Sequence, residues 1–245
     1  VAHFIGVVDG LDAEERSRRD LDSFATVEIR NAIARPGGEA LLPLLDWPAT
    51  FPLLAEILGW NIQLTTSHVF VRTPNPGEQT SFKAIDWHAD GPNPSFPTIG
   101  GVSPRLYAKI GYFLTDLSAP DRGNLRVVPG SHQSAARPKN DPLTGEPAGA
   151  IQILTRPGDA VLFEQRCWHA VGPNHSPLPR KNLYLGYCYR WMKAIDFAFQ
   201  SDALLAKASP IQRQLLGASS DPLSYYLPGR SGYVDVPLKA LQDEG

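Results

Sequence analysis

The sequence predicts a mostly-β domain built as a two-sheet antiparallel sandwich or barrel, with a jelly roll as the leading architecture. Three observations carry this. Runs of five to ten residues rich in Val, Ile, Thr, Tyr and Phe recur from residue 61 to residue 191, each bounded by a turn signal. Pro (23 residues) and Gly (21 residues) are abundant, as many short strands joined by turns require. The 245 residues contain no repeat, no low-complexity tract and no Gly/Ser linker, so one larger β domain accounts for the whole of 1–245.

The elements follow in order. Residues 11–23 (LDAEERSRRDLDS) are expected to form an exposed, charged helix, with Asp12 and Glu15 spaced as a capping pair. Residues 49–58 (ATFPLLAEIL) are expected to form a buried helix stopped by Gly59. A jelly-roll core over about 60–192 then begins with the strand 61–72 and, after a loop at 74–78, a strand 81–90. Further strands are expected at 106–117, 124–129, 151–154, 160–163, 167–171 and 181–191, with an excursion at 137–149. Asp159 in the RPGD run reads as a tight turn. A final helix is expected at 209–217, ended by Gly217, so helices flank the core at both ends.

Composition narrows the function classes. A net charge of −2 without a concentrated basic face points away from nucleic acid and anionic membranes. No apolar run reaches the ~18 residues of a membrane span, and no charged–apolar–small leader opens the chain, which starts on Val1. Two cysteines, Cys167 and Cys188, do not make a disulfide framework and read as small apolar fillers in a reducing compartment. The expectation is a cytoplasmic protein acting on a small molecule, with no membrane partner and an oligomeric state left open.

The chemistry is concentrated in two places. His88 and Asp90 are two apart on an expected strand, so they share a face while Trp87 and Ala89 point the other way. His169 lies on a later strand, in the run CWHAV. Two His and one carboxylate on one side of a metal leave coordination positions open, the arrangement of non-haem Fe(II) oxygenases. An isolated HxD arises often by chance, so the pair alone is weak; the rest of the pattern gives it weight. Arg180 sits at the start of the strand after His169, and its planar guanidinium suits a carboxylate such as the far end of 2-oxoglutarate. Lys181, its neighbour, faces the opposite side of the strand.

With these runs in view, the chain resembles the phytanoyl-CoA dioxygenase family of 2-oxoglutarate-dependent oxygenases. The resemblance rests on DWHAD (86–90), RGNLRVVPGSH (122–132), RPGDAVLF (156–163) and CWHAVGPNHSPLPR (167–180), in that order, and covers roughly 60–240. It implies a double-stranded β-helix, the cupin-like jelly roll. It also implies iron ligation by His88, Asp90 and His169, and a hold on 2-oxoglutarate by Arg180. The implied cofactors are Fe(II), 2-oxoglutarate as co-substrate, and O2. The implied reaction is hydroxylation or desaturation of an unactivated C–H bond, with release of succinate and CO2. Asp90 stands where related halogenases carry a small residue, which argues against halogenation.

Other residues admit two readings. Asn174 and Ser176 either order the turn before Arg180 or assist the co-substrate site, with turn structure favoured; Val171 replaces a hydroxyl that some relatives carry. His68 shares a face with Phe70 and Arg72, and either touches 2-oxoglutarate or bonds a neighbouring loop. Tyr112 and Lys109 lie on opposite faces of one strand, so at most one faces the cavity; Tyr112 either donates to the co-substrate or fills the core. His132 in PGSH is either a third ligand or a residue that shapes a loop, with the loop favoured, and His175 is expected at the surface. Trp87, Trp168 and Trp191 read as packing residues, with Trp191 and Arg190 a candidate rim of the cavity.

Two other classes compete. One is a non-catalytic jelly-roll binding module; the other is a Zn-dependent hydrolase, since His and carboxylate also suit zinc. A hydrolase would not need Arg180 or consume O2. Fold and cofactor do not set the substrate. No basic cluster demands a CoA phosphate, and a small natural-product scaffold is preferred.

Overall fold

A computed structural model describes residues 1–75, 85–90, 98–134, 136–218 and 222–225. Among the described residues, eight strands form two antiparallel sheets. The larger sheet has the order β1 (Val27–Ile29), β2 (Ile62–Arg72), β8 (Arg180–Tyr189), β3 (Tyr107–Phe113), β6 (Ala160–Glu164). The smaller has the order β5 (Ile151–Gln152), β4 (Leu125–Val127), β7 (His169–Val171). This is the expected double-stranded β-helix, or cupin fold.

Strand alternation gives the large sheet two unlike faces. Its outer face carries Val69, Val71, Ala108, Ile110, Tyr112, Leu183, Leu185 and Tyr187, all buried in the main apolar core. The helices α1 (Ala2–Arg19), α2 (Phe51–Leu58), α3 (Asp202–Leu205) and α4 (Pro210–Leu215) supply the other side of that core through Val8, Leu11, Leu54, Leu58, Leu204 and Leu215. The inner face meets the small sheet across a second, smaller cluster of Phe113, Leu117, Leu125, Val127, Phe163 and Tyr184.

Local sequence explains the element ends. Gly59 ends α2 at φ 78°, a conformation open to glycine, and Ser209 with Gln212 forms a complete capping box on α4. Two expectations need correction at the N-terminus. The first helix begins at Ala2, and Asp12 and Glu15 lie inside it, not at its start. There Asp12 pairs with Arg16 and Glu15 with Arg18, as i,i+4 and i,i+3 neighbours on a helix surface do. The helix is also not purely exposed, since Val8 and Leu11 belong to the core.

The expected strand 81–90 is a further correction. Residues 81–84 lie outside the described residues, and 85–90 form no strand. Only His88 pairs, through an isolated antiparallel bridge to His169. β1, which extends the sheet beyond β2, was not expected from the sequence.

Candidate metal centre and co-substrate pocket

His88 and His169 come together through reciprocal backbone hydrogen bonds, His88 N to His169 O at 3.0 Å and His169 N to His88 O at 2.8 Å. Directly opposed residues of an antiparallel pair project their side chains to one side. The two imidazole centroids are accordingly 4.4 Å apart. Asp90, two residues on, completes the group, and one donor atom from each of His88, Asp90 and His169 lies within 4.8 Å of the others. His88 Nε2 is 3.9 Å from Asp90 Oδ1, and His169 Nε2 is 3.5 Å from Asp90 Oδ2.

The other ring nitrogen of each His is already committed. His88 Nδ1 lies 2.8 Å from the Asp86 carbonyl, and His169 Nδ1 lies 2.8 Å from the Cys167 carbonyl. A carbonyl only accepts, so each Nδ1 carries a proton, and in a neutral ring the lone pair is then on Nε2. Donation of the outer ring N–H to a main-chain carbonyl is how metal-binding imidazoles are oriented. Burial pushes His169 down, to about 4, against the opposing pull of Asp90, so its ring is neutral near pH 7. Burial alone would raise Asp90, but Lys109, His169 and His88 hold it below the usual carboxylate value. The Lys109 ammonium sits 2.5 Å from Asp90 Oδ2. A neutral, lone-pair-bearing His and an ionised carboxylate are the protonation states a divalent cation requires, and the donor set therefore fits iron.

Arg180 lies on the same inner face, at the first residue of β8. Its side chain is completely buried between the rings of Phe113 and Tyr184, with its guanidinium carbon 5.8 and 5.9 Å from their centroids. Gly123, at φ 78°, passes over it so closely that a Cβ there would come within 2.9 Å of Arg180 Cδ. Arg180 Nη2 donates to the Tyr184 hydroxyl at 3.0 Å, while Nε has no partner among the described residues. No carboxylate among the described residues pairs with this cation. Burial pushes the guanidinium below its ordinary value; Tyr184 opposes that push and Arg72 adds to it. A buried charge without a counter-charge is costly, and a carboxylate ligand would remove that cost. The unpaired guanidinium thus suits one carboxylate of a ligand, as the triad suits a metal.

Three other candidates for the co-substrate site are engaged elsewhere. Tyr112 is on the outer face, with its hydroxyl 2.6 Å from Thr50 Oγ1 and 3.2 Å from the Leu44 carbonyl. Of the opposed pair it is Lys109 that faces inward. Ser176 donates its hydroxyl to Asn174 Oδ1 at 2.7 Å, and Asn174 Nδ2 donates to the Leu178 carbonyl, so both residues build the turn. His68 is on the inner face beside Phe70, but its Nε2 is 2.7 Å from Asp196 Oδ1 and its Nδ1 is 3.4 Å from Glu28 Oε1. Its partner Asp196 lies far along the chain, beyond the reach of local pattern reading.

The remaining residues take structural places. His132 stands in the short 3-10 turn Ser131–Gln133, with Nε2 3.9 Å from Glu164. His175 is half-buried, not at the surface as expected. Asp159 accepts from Arg156 N and closes its turn. Trp87 is buried, Trp168 lies under the Arg137 guanidinium, and Trp191 stacks on Tyr189. Arg190 and Trp191 line an open cavity of about 1070 Å³ that contains none of the three triad residues. The residues missed from sequence are Tyr184 and Asp196. For Tyr184 a signal existed, since Arg180 and Tyr184 share one strand parity.

Comparison with known proteins bears on this site. The sequence profile of the family described as phytanoyl-CoA dioxygenase (PhyH) matches residues 18–182. The chain is 28% identical over 155 residues to a probable alpha-ketoglutarate-dependent hypophosphite dioxygenase of Stutzerimonas stutzeri, covering 55% of this chain and 48% of that protein. It is 25% identical over 156 residues to an ectoine dioxygenase of Streptomyces avermitilis, covering 53% and 49%. The chain thus matches about half the length of these relatives. In structure it resembles HygX from Streptomyces hygroscopicus, crystallised with nickel, 2-oxoglutarate and hygromycin B, with a TM-score of 0.52, 17% identity, and coverage of 75% of this chain and 78% of that one.

Proposed function

The chain belongs to the phytanoyl-CoA dioxygenase family, and on that premise we propose that it is a non-haem Fe(II)- and 2-oxoglutarate-dependent dioxygenase. Its reaction is hydroxylation or desaturation of an unactivated C–H bond in a small molecule, with succinate and CO2 released. The observation that carries this reading is the triad. Three donor atoms stand within 4.8 Å, and both His rings have their Nδ1 proton tied to the main chain.

In this reading His88 Nε2, Asp90 and His169 Nε2 hold the iron, which when bound supplies the activation of O2 and the oxidation of the C–H bond. The protein does the rest. The Asp86 and Cys167 carbonyls fix the two ring orientations. Lys109 of β3 balances the charge of Asp90. Arg180 neutralises the distal carboxylate of 2-oxoglutarate, and Phe113 and Tyr184 hold the guanidinium between their rings. Of the relatives named above, one is a probable hypophosphite dioxygenase and the other an ectoine dioxygenase; a small metabolite, within natural-product metabolism, is the substrate class that fits this reading.

The test is metal analysis and succinate formation with Fe(II), 2-oxoglutarate and a substrate panel. Wild-type protein is expected to bind one Fe(II), and His88→Ala, Asp90→Ala and His169→Ala each to abolish turnover. Near-normal turnover in any one variant removes that residue from the ligand set. Hydrolysis with zinc and without O2 consumption would replace the oxygenase with a hydrolase.

A further inference from the structure

Next to Arg180 on β8, a further buried side chain has polar atoms without a partner among the described residues. Asn182 is completely buried, and neither its Oδ1 nor its Nδ2 has a partner among the described residues. It stands between Arg180 and Tyr184 on β8, so it shares their inner face. Across the sheet its register partners are Phe70 on β2 and Phe113 on β3. The amide is therefore walled on two sides by aromatic rings and flanked along its strand by a buried guanidinium.

Leaving a buried amide unpaired costs about 1–3 kcal/mol, and such groups in native proteins nearly always have a partner. An apolar residue would fill this place at less cost, as Leu183 and Leu185 do on the other face. A carboxylate offers about four lone-pair sites. Arg180 spends Nη2 on the Tyr184 hydroxyl, so its fork alone does not saturate such a ligand.

We propose that Asn182 is a second co-substrate-binding residue, its buried and unpartnered Nδ2 donating to the distal carboxylate that the adjacent buried Arg180 neutralises. Its Oδ1 then takes a donor from an ordered water carried in with the ligand. This deepens the oxygenase reading and rests on it. The consequence is selectivity: Asn182 favours 2-oxo acids with a carboxylate at the far end and does nothing for those without one.

The experiment is anaerobic calorimetric titration of Mn(II)-loaded protein with 2-oxoglutarate and with 2-oxobutyrate, which lacks the distal carboxylate. Asn182→Leu should raise the Kd for 2-oxoglutarate about tenfold, the loss of one hydrogen bond to a charged acceptor. Asn182→Asp, which places an anion beside the ligand, should raise it further. Affinity for 2-oxobutyrate and for Mn(II) should stay as in the wild type. If Asn182→Leu does not fold, Asn182→Ser and Asn182→Asp carry the same comparison. Wild-type affinity for 2-oxoglutarate in these variants, with Arg180→Met impaired, overturns the role of Asn182 and leaves the oxygenase reading intact. Equal weakening of both acids also overturns it, since that is loss of pocket shape. A wild-type protein that binds neither acid overturns the oxygenase reading itself.

Discussion

The two faces of β8 are made by alternate residues of one strand, yet they follow opposite rules. Outward, Leu183, Leu185 and Tyr187 are buried among apolar neighbours; the Tyr187 hydroxyl donates to the Leu45 carbonyl at 2.7 Å, and Lys181 pairs with Asp9. Inward, Arg180 and Asn182 are equally buried but hold polar atoms without partners. Burial alone therefore does not tell scaffold from site. On β8 the distinction lies in satisfaction: the buried outward residues are bonded or packed within the protein, and Arg180 and Asn182 carry polar atoms that a ligand would bond.

Substitutions on each side can break that contrast. The largest effect belongs to the outer face. Leu185→Ala should cost about 2–5 kcal/mol of folding stability, as large-to-small changes in a packed core do, and leave the Kd for 2-oxoglutarate unchanged in the folded fraction. Chemical denaturation beside calorimetry reads both quantities, and a lost affinity would mean that the faces are not independent. Next, Arg180→Met should weaken 2-oxoglutarate binding by about 2–3 kcal/mol, roughly 30- to 150-fold. Folding stability without ligand should not fall, because the substitution removes an uncompensated buried charge. A clear drop in stability would show that the guanidinium is part of the scaffold. The smallest effect is on β3. Tyr112→Phe should cost about 0.5–1.5 kcal/mol through the lost bonds to Thr50 and Leu44, with co-substrate affinity unmoved; a raised Kd would return Tyr112 to the pocket.

The same contrast explains what could be read from the sequence. The jelly roll was legible because short alternating runs and turn residues are local signals, and most strands lie within a few residues of where they were expected. The HxD spacing and His169 were legible as residue types. Their approach depends on one backbone bridge that no local pattern encodes, and the strand expected around His88 is absent from 85–90. The choice between Tyr112 and Lys109 required knowing which face of β3 the helices cover. Ala108 and Ile110, apolar and in register with Tyr112, were the available hint. His68 was undecidable because Asp196 reaches it from the far end of the core. Asn182 passed unnoticed because an Asn in a strand has meaning only once it is known to be buried and unpaired.

The bridge between His88 and His169 also couples the site to the folding reaction. Its two residues are far apart in the chain, and four strands intervene between them. In the unfolded chain the imidazoles are separated by a long open loop, so no chelating site exists there. A cation held between them would act as a cross-link that closes that loop, and its binding free energy would be added to the stability of the native state. The order of events is then constrained: the sheets must register before the ion can be held, and the ion afterwards resists their separation.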